Sequence, residues 1–309
     1  MISDGSTLLI VAADWPSLRA NGSTTTLDLV PNNLRPNVEG ALSVKGTAPS
    51  TSDNAGSLIL NGLLVEGVLT VLVGNLGRLQ LVHSTLVPTA GGLTVNSSVS
   101  AGSQNSQLNV TLERSVCGPI NLSDQVPSVS LIDSIVDAGV VKSVPGDAIS
   151  APGAGANIQS STILGTIGTM TTYGVRTLEA GNSIFTGLVN VERTQAGCVR
   201  FCSLLTNISK TPRRYRCQPD LALEGITDPL VQTTTRGRLT PSFTSMAYGD
   251  PGYAQLSAQC AIEIRSGADG GSEMGAFYFL KQPQRDTNLR VALLEYQRFG
   301  LQAGIFYVT

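Results

Sequence analysis

Between Leu58 and Leu205 one arrangement of apolar and polar positions returns six times. Apolar residues alternate with others over a short run, a polar residue or two follows, and a Ser or Thr then introduces further apolar positions. The copies read Leu79-Gln80-Leu81-Val82-His83-Ser84-Thr85-Leu86-Val87 and Leu108-Asn109-Val110-Thr111-Leu112-Glu113-Arg114-Ser115-Val116. Shorter ones are Leu131-Ile132-Asp133-Ser134-Ile135-Val136, Ile158-Gln159-Ser160-Ser161-Thr162-Ile163-Leu164, Leu178-Glu179-Ala180-Gly181-Asn182-Ser183-Ile184-Phe185 and Val199-Arg200-Phe201-Cys202-Ser203-Leu204-Leu205. We place the recurring hydroxyls at 85, 115, 134, 162, 183 and 203, which are 30, 19, 28, 21 and 20 residues apart. Leu58 to Val65, with Gly62 in the hydroxyl's place, forms an earlier copy.

A short strand and turn residues recurring every 20–30 residues mark a solenoid. Alternation sends every second side chain inward, and a unit that cannot bury its own apolar face does so against its neighbours. A leucine-rich repeat would require a helical segment and a fixed Asn in each unit, and neither is present. The predicted fold is therefore all-β: a right-handed, single-stranded parallel β-helix over residues 1–208, with irregular first coils at 1–55. Unequal spacing predicts coils that differ in loop length, with the loops leaving one side of the stack. Ala90-Gly91-Gly92, Ala101 to Ser106 and Gly146 to Gly155 are expected to be such insertions. Alternation is already under way at Thr7, which leaves room for coils upstream. The single Trp15 is expected at the open end of the stack, with sugar stacking as its sharper alternative.

After Asn207 the pattern breaks down into Pro- and Gly-rich chain, so residues 209–309 are predicted to form a mixed cap or docking region. Gln284 to Phe299 has helical spacing, with Leu289, Ala292, Leu293, Tyr296 and Phe299 on one face. Gly300 would stop that helix, and Ala303 to Val308 would form a final strand. Solenoid ends expose unpaired strand edges that must be covered or paired.

Composition agrees with a slim solenoid. Charged residues are 14% of the chain and aromatics 5%, the former well under the roughly 25% of an average domain. A net charge of −2 argues against a nucleic-acid binder, for which a basic face is expected. No run approaches the ~18 apolar residues of a membrane span, so no membrane insertion is expected. The start has no basic n-region, and Leu8 to Ala13 is short for a signal core. Cytoplasmic synthesis is expected, with release as part of a particle the alternative. Five cysteines leave at least one unpaired.

His83 is the only histidine, which excludes a two-histidine metal site and reads best as a surface or packing residue. Carboxylate chemistry is the remaining catalytic route, as in polysaccharide-cleaving β-helices. The coils offer Glu113, Asp124, Asp133, Asp137, Asp147 and Glu192 without an Asp-Asp pair, and Asp133 and Asp137 are the weak catalytic candidates. Cys198, Cys202, Cys217 and Cys260 lack the paired spacing of a zinc site, so no metal or other cofactor is expected. Asp269 and Glu273 fall short of a calcium set. Arg213, Arg214 and Arg216 form the candidate contact for phosphate or an acidic partner, against pairing within the chain's own C-terminal region.

The coil pattern, over residues 56–208, resembles the broad pectate-lyase-like family of parallel β-helix proteins. The C-terminal third carries more specific strings: Thr211-Pro212-Arg213-Arg214-Tyr215-Arg216-Cys217-Gln218-Pro219, Tyr248-Gly249-Asp250-Pro251-Gly252-Tyr253 and Gly267-Ala268-Asp269-Gly270-Gly271-Ser272-Glu273-Met274-Gly275. With Gly197-Cys198-Val199-Arg200-Phe201 and Glu295-Tyr296-Gln297-Arg298-Phe299-Gly300, these resemble uncharacterised bacterial proteins associated with phage-tail-like contractile injection systems. That resemblance implies a structural or adhesive particle component. Its partners would be other particle proteins or further copies of this chain, with a glycan as a further ligand. The alternative is a polysaccharide-cleaving lyase or hydrolase.

Overall fold

The computed structural model describes residues 1–13, 34–96, 104–141, 144–296 and 301. Its strands lie almost entirely parallel, and each pairs with the equivalent strand of the next coil. The first sheet stacks Thr7–Val11, Ser57–Asn61, Arg78–Val82, Asn109–Glu113, Ser128–Ile132, the second half of Asp147–Gln159, Val175–Gly181, Gly197–Arg200 and Arg213–Tyr215. The second, seven-stranded, runs Asn37–Glu39, Leu64–Glu66, Thr85–Leu86, Val116–Cys117, Ile135–Asp137, Thr162–Leu164 and Ile184–Phe185. A third runs Leu42–Val44, Leu69–Val71, Leu93–Val95, Ile120–Asn121, the first half of Asp147–Gln159 and Thr166–Ile167. The result is an all-β, solenoid-like fold.

In-register stacking explains why the alternation was so regular. Leu58, Leu79, Val110, Val129, Ala156 and Leu178 are successive partners in one inward row. Leu60, Leu81, Leu112, Leu131, Ile158, Ala180 and Val199 form the next. These side chains are buried and belong to one continuous core, at roughly 1.5–3 kcal/mol for each large aliphatic chain removed from water.

The corner between the first and second sheets repeats a backbone feature. Gly62, His83, Arg114, Asp133, Ser160, Asn182, Phe201 and Arg216 all have positive φ, between 46° and 79°. Each left-handed residue reverses the chain sharply, and Arg114, Ser160, Phe201 and Arg216 carry side chains that ordinarily disfavour that region. The residue that follows turns inward, and here the expected register requires correction. The inner ladder is Ser84, Ser115, Ser134, Ser161 and Ser183, continued by Cys202 and Cys217, all buried; Thr85, Thr162 and Ser203 each sit one place later. Ser84 N–H donates to Ser115 Oγ at 3.2 Å, Ser115 N–H to Ser134 Oγ at 3.1 Å, Ser134 N–H to Ser161 Oγ at 3.2 Å and Ser161 N–H to Ser183 Oγ at 3.1 Å. Ser183 N–H donates to Cys202 Sγ at 3.4 Å. Each hydroxyl in turn donates to the carbonyl two residues back, as Ser134 does to Ile132 at 2.7 Å. The ladder thus pairs donors that the sharp corner would otherwise leave buried and unsatisfied.

Two further expectations are overturned. Gly146 to Gly155 is not a loop: Asp147–Gln159 is one continuous strand that leaves the third sheet of one coil and enters the first sheet of the next. Small residues permit this passage, since a Cβ at Gly153 would lie 1.8 Å from Asp124 O. Nor do insertions leave from one side. Residues 12–36 separate first- and second-sheet strands, 96–108 third- and first-sheet strands, and 138–146 second- and third-sheet strands. Ladder pairing constrains the strands alone, so any corner can absorb extra chain.

Coil pairing continues past residue 208, through Arg213–Tyr215 and the Ser203–Gln218 bridge. Helices follow at Asp220–Leu223, Pro229–Arg238, Ile262–Arg265 and Gln282–Tyr296. Between them, residues 243–278 fold back along the outer side of the second sheet. Ile184 packs with Cys260, Ile264, Ala268 and Met274, and Ile135 and Leu164 with Ala254 and Ala276. Both faces of Ile135–Asp137, Thr162–Leu164 and Ile184–Phe185 are consequently buried. The last helix departs from expectation: Leu289, on its predicted apolar face, is 48% exposed, and Val291 is 53% exposed. Phe299, Gly300 and the predicted strand Ala303 to Val308 lie outside the described residues, as does Trp15.

Candidate functional site

Asp133 and Asp137 are not brought into a shared site. Asp133 occupies the left-handed corner and pairs with Arg114, whereas Asp137 ends the strand Ile135–Asp137 and pairs with Gly139 and Tyr253. The Asp133 carboxylate lies 3.5 Å from Arg114 Nε. Burial raises its pKa, and the Arg114 guanidinium pulls against that shift.

Asp137 is buried and holds two donors: Oδ1 accepts from Gly139 N–H at 2.8 Å and Oδ2 from the Tyr253 hydroxyl at 2.6 Å. Burial and this bond together hold the Tyr253 phenol above its ordinary range. Both carboxylate oxygens are therefore engaged, Oδ1 in a local turn and Oδ2 in fastening the C-terminal segment to the sheet. Alongside, Ala276 N–H donates to Thr162 Oγ1 at 3.0 Å, Asp269 N–H to Asn182 Oδ1 at 2.7 Å and Gly275 N–H to Asn182 O at 2.7 Å. Gly275 has a φ of +94°, and a Cβ there would meet Thr162 Oγ1 at 2.6 Å.

The remaining candidates separate. His83 is exposed at its corner. Cys117, Cys202, Cys217 and Cys260 are buried free thiols and Cys198 is half-buried. Among the described residues no group of three or more His, Cys, Asp or Glu is placed to hold a metal ion. Burial raises the Cys202 thiol, while the hydrogen bond from Cys202 lowers that of Cys217. Asp269 and Glu273 do not converge on a cation site either: Asp269 is exposed, and burial pushes the Glu273 carboxyl up to about 7, with Arg265 opposing.

The three arginines divide as well. Arg214 Nε donates to Asp220 Oδ2 at 2.7 Å and its Nη1 to Thr211 Oγ1 at 3.3 Å, so it pairs within the chain. Arg213 and Arg216 are exposed. Arg214 and Arg216 line an open cleft of about 360 Å³ with Asp220, Leu221, Leu223, Glu224 and Arg236. Arg236, on the helix Pro229–Arg238, was missed in the sequence because it lies 20 residues beyond Arg216. Only the turn after Pro219 brings it back to the last coil.

One outward row of the first sheet is polar over four coils. Gln80, Thr111, Ser130 and Asn157 are successive register partners there. Compared with protein-family models, curated proteins and solved structures, the chain matches none.

Proposed function

We propose that this chain is a right-handed parallel β-helix acting as a non-catalytic rod, a structural or adhesive component of a phage-tail-like particle. The right-handed sense follows from the strong preference of parallel crossovers for that hand. The observation that carries the non-catalytic reading is Asp137: its two carboxylate oxygens hold Gly139 and Tyr253 and leave no free base beside Asp133. The particle setting rests on the C-terminal strings, and the polar row from Gln80 to Asn157 supports an adhesive surface. Docking falls to the last helix, whose Leu289 and Val291 are exposed.

The test is a pull-down from native lysate with the full chain and with Leu289→Glu/Val291→Glu, both folded by circular dichroism. Recovery of sheath, tube or baseplate proteins by the parent chain, lost in the double variant, is the expected result. Absence of such proteins from both captures overturns the particle reading. New reducing ends or unsaturated products from an acidic polysaccharide, unaffected by removing copurifying proteins, overturn the non-catalytic one.

A further inference from the structure

The cleft beyond the last coil contains cationic groups that the fold does not use. Arg214 is neutralised by Asp220 at 2.7 Å. Arg216, held at the left-handed corner with φ 51°, has no ion pair among the described residues, and neither has Arg236. Arg236 gives Nη1 to Gln232 Oε1 at a long 3.4 Å, while its Nε is buried without a hydrogen-bond partner. That Nε has no exposed surface, so Arg236 meets the cleft through the rest of its side chain. The two guanidiniums come from separate elements, a coil corner and a helix. Leu221 and Leu223 also line the cleft.

We propose that this cleft binds a small molecule bearing a carboxylate or phosphate oxyanion, clamped between Arg216 and Arg236. Planar guanidinium forks match both groups in geometry, and about 360 Å³ lies within the usual size of small-ligand sites. Glu224, on the rim, is the one carboxylate lining the cleft without an ion pair, and it opposes the incoming charge. The site is independent of the rod reading, which invokes the polar sheet row and the final helix and neither of these arginines.

Isothermal titration calorimetry on the full chain tests it, with sodium phosphate and sodium succinate in separate titrations at constant ionic strength. Saturable binding of at least one anion is expected, and the stronger of the two identifies the group. Arg216→Gln and Arg236→Gln should each weaken it roughly tenfold, as loss of a charged hydrogen bond implies. Glu224→Gln should tighten it, and Arg213→Gln, outside the cleft, should leave it unchanged. Arg216 is exposed, so its variant keeps the fold even if Arg236→Gln does not, and Arg236→Lys supplies a charge-retaining second variant. No saturable heat with either anion at tens of millimolar overturns the proposal. So does binding that Arg216→Gln leaves intact.

Discussion

The Tyr253 hydroxyl donates to Asp137 Oδ2 at 2.6 Å across 116 residues of sequence. This bond joins the end of a coil to a chain segment that the repeat pattern does not contain. Because Asp137 is buried, losing the donor leaves its charged oxygen with less compensation. Tyr253→Phe should lower stability by about 1–3 kcal/mol, read from urea denaturation. Hydrogen exchange should rise most across residues 243–278 while the first-sheet strands keep their protection. Equal loss across the coils would show that the segment and the solenoid unfold as one unit.

The inner ladder makes a side-chain-specific prediction. Ser134 Oγ accepts from Ser115 N–H and donates to Ile132 O, so Ser134→Ala strands a buried donor at about 1–3 kcal/mol. Ser134→Cys should cost less than half as much, since Cys202 already accepts from Ser183 N–H and donates to Arg200 O at 3.1 Å in the equivalent place. Equal costs for Ala and Cys in chemical denaturation would mean that cavity and packing effects, rather than the ladder bonds, govern this position.

What could be read from the chain follows from how many residues report each feature. Inward rows such as Leu60, Leu81, Leu112 and Leu131 repeat one restraint several times, so the stack was legible. The ladder was misplaced by one residue at Thr85 and Thr162 because hydroxyls occupy adjacent positions there, and only the left-handed corner decides which turns inward. Cys202 and Cys217 went unread because a thiol replaces the hydroxyl. Gly146 to Gly155 reads as a loop in sequence because Gly and Ala report both turns and crowded strands. Asp137 and Tyr253, like Arg216 and Arg236, meet only through tertiary folding, which no local spacing encodes.

Thiol chemistry should separate the cysteines by burial. Burial pushes the Cys117 thiol up to about 12, leaving almost no thiolate at pH 8, and thiolate is the reacting form. In native protein treated with an aromatic disulfide reagent at pH 8, the half-buried Cys198 should react first and Cys117 only on unfolding. Cys198→Ser should abolish the fast phase. Persistence of that phase would place an opening motion at one of the buried thiols.

Glu273 should make stability depend on pH in the sense opposite to a salt-bridged carboxylate. Burial raises its folded pKa from 4.5 to about 7, so between these values the folded chain binds the proton more tightly than the unfolded chain. Stability therefore falls as pH rises across that window, and the loss is complete above about 7. At about 1.36 kcal/mol for each unit, reduced for partial solvent access and the opposing Arg265, the effect is about 2 kcal/mol. Glu273→Gln removes the charge while keeping the shape. The variant should match the parent chain near pH 4.5 and exceed it by about 1–2 kcal/mol at pH 8, measured by denaturation at both pH values. A constant difference at all pH values would assign the effect to packing of the amide, and a parent chain that gains stability from pH 5 to 7 relative to the variant would mean that Arg265 outweighs burial.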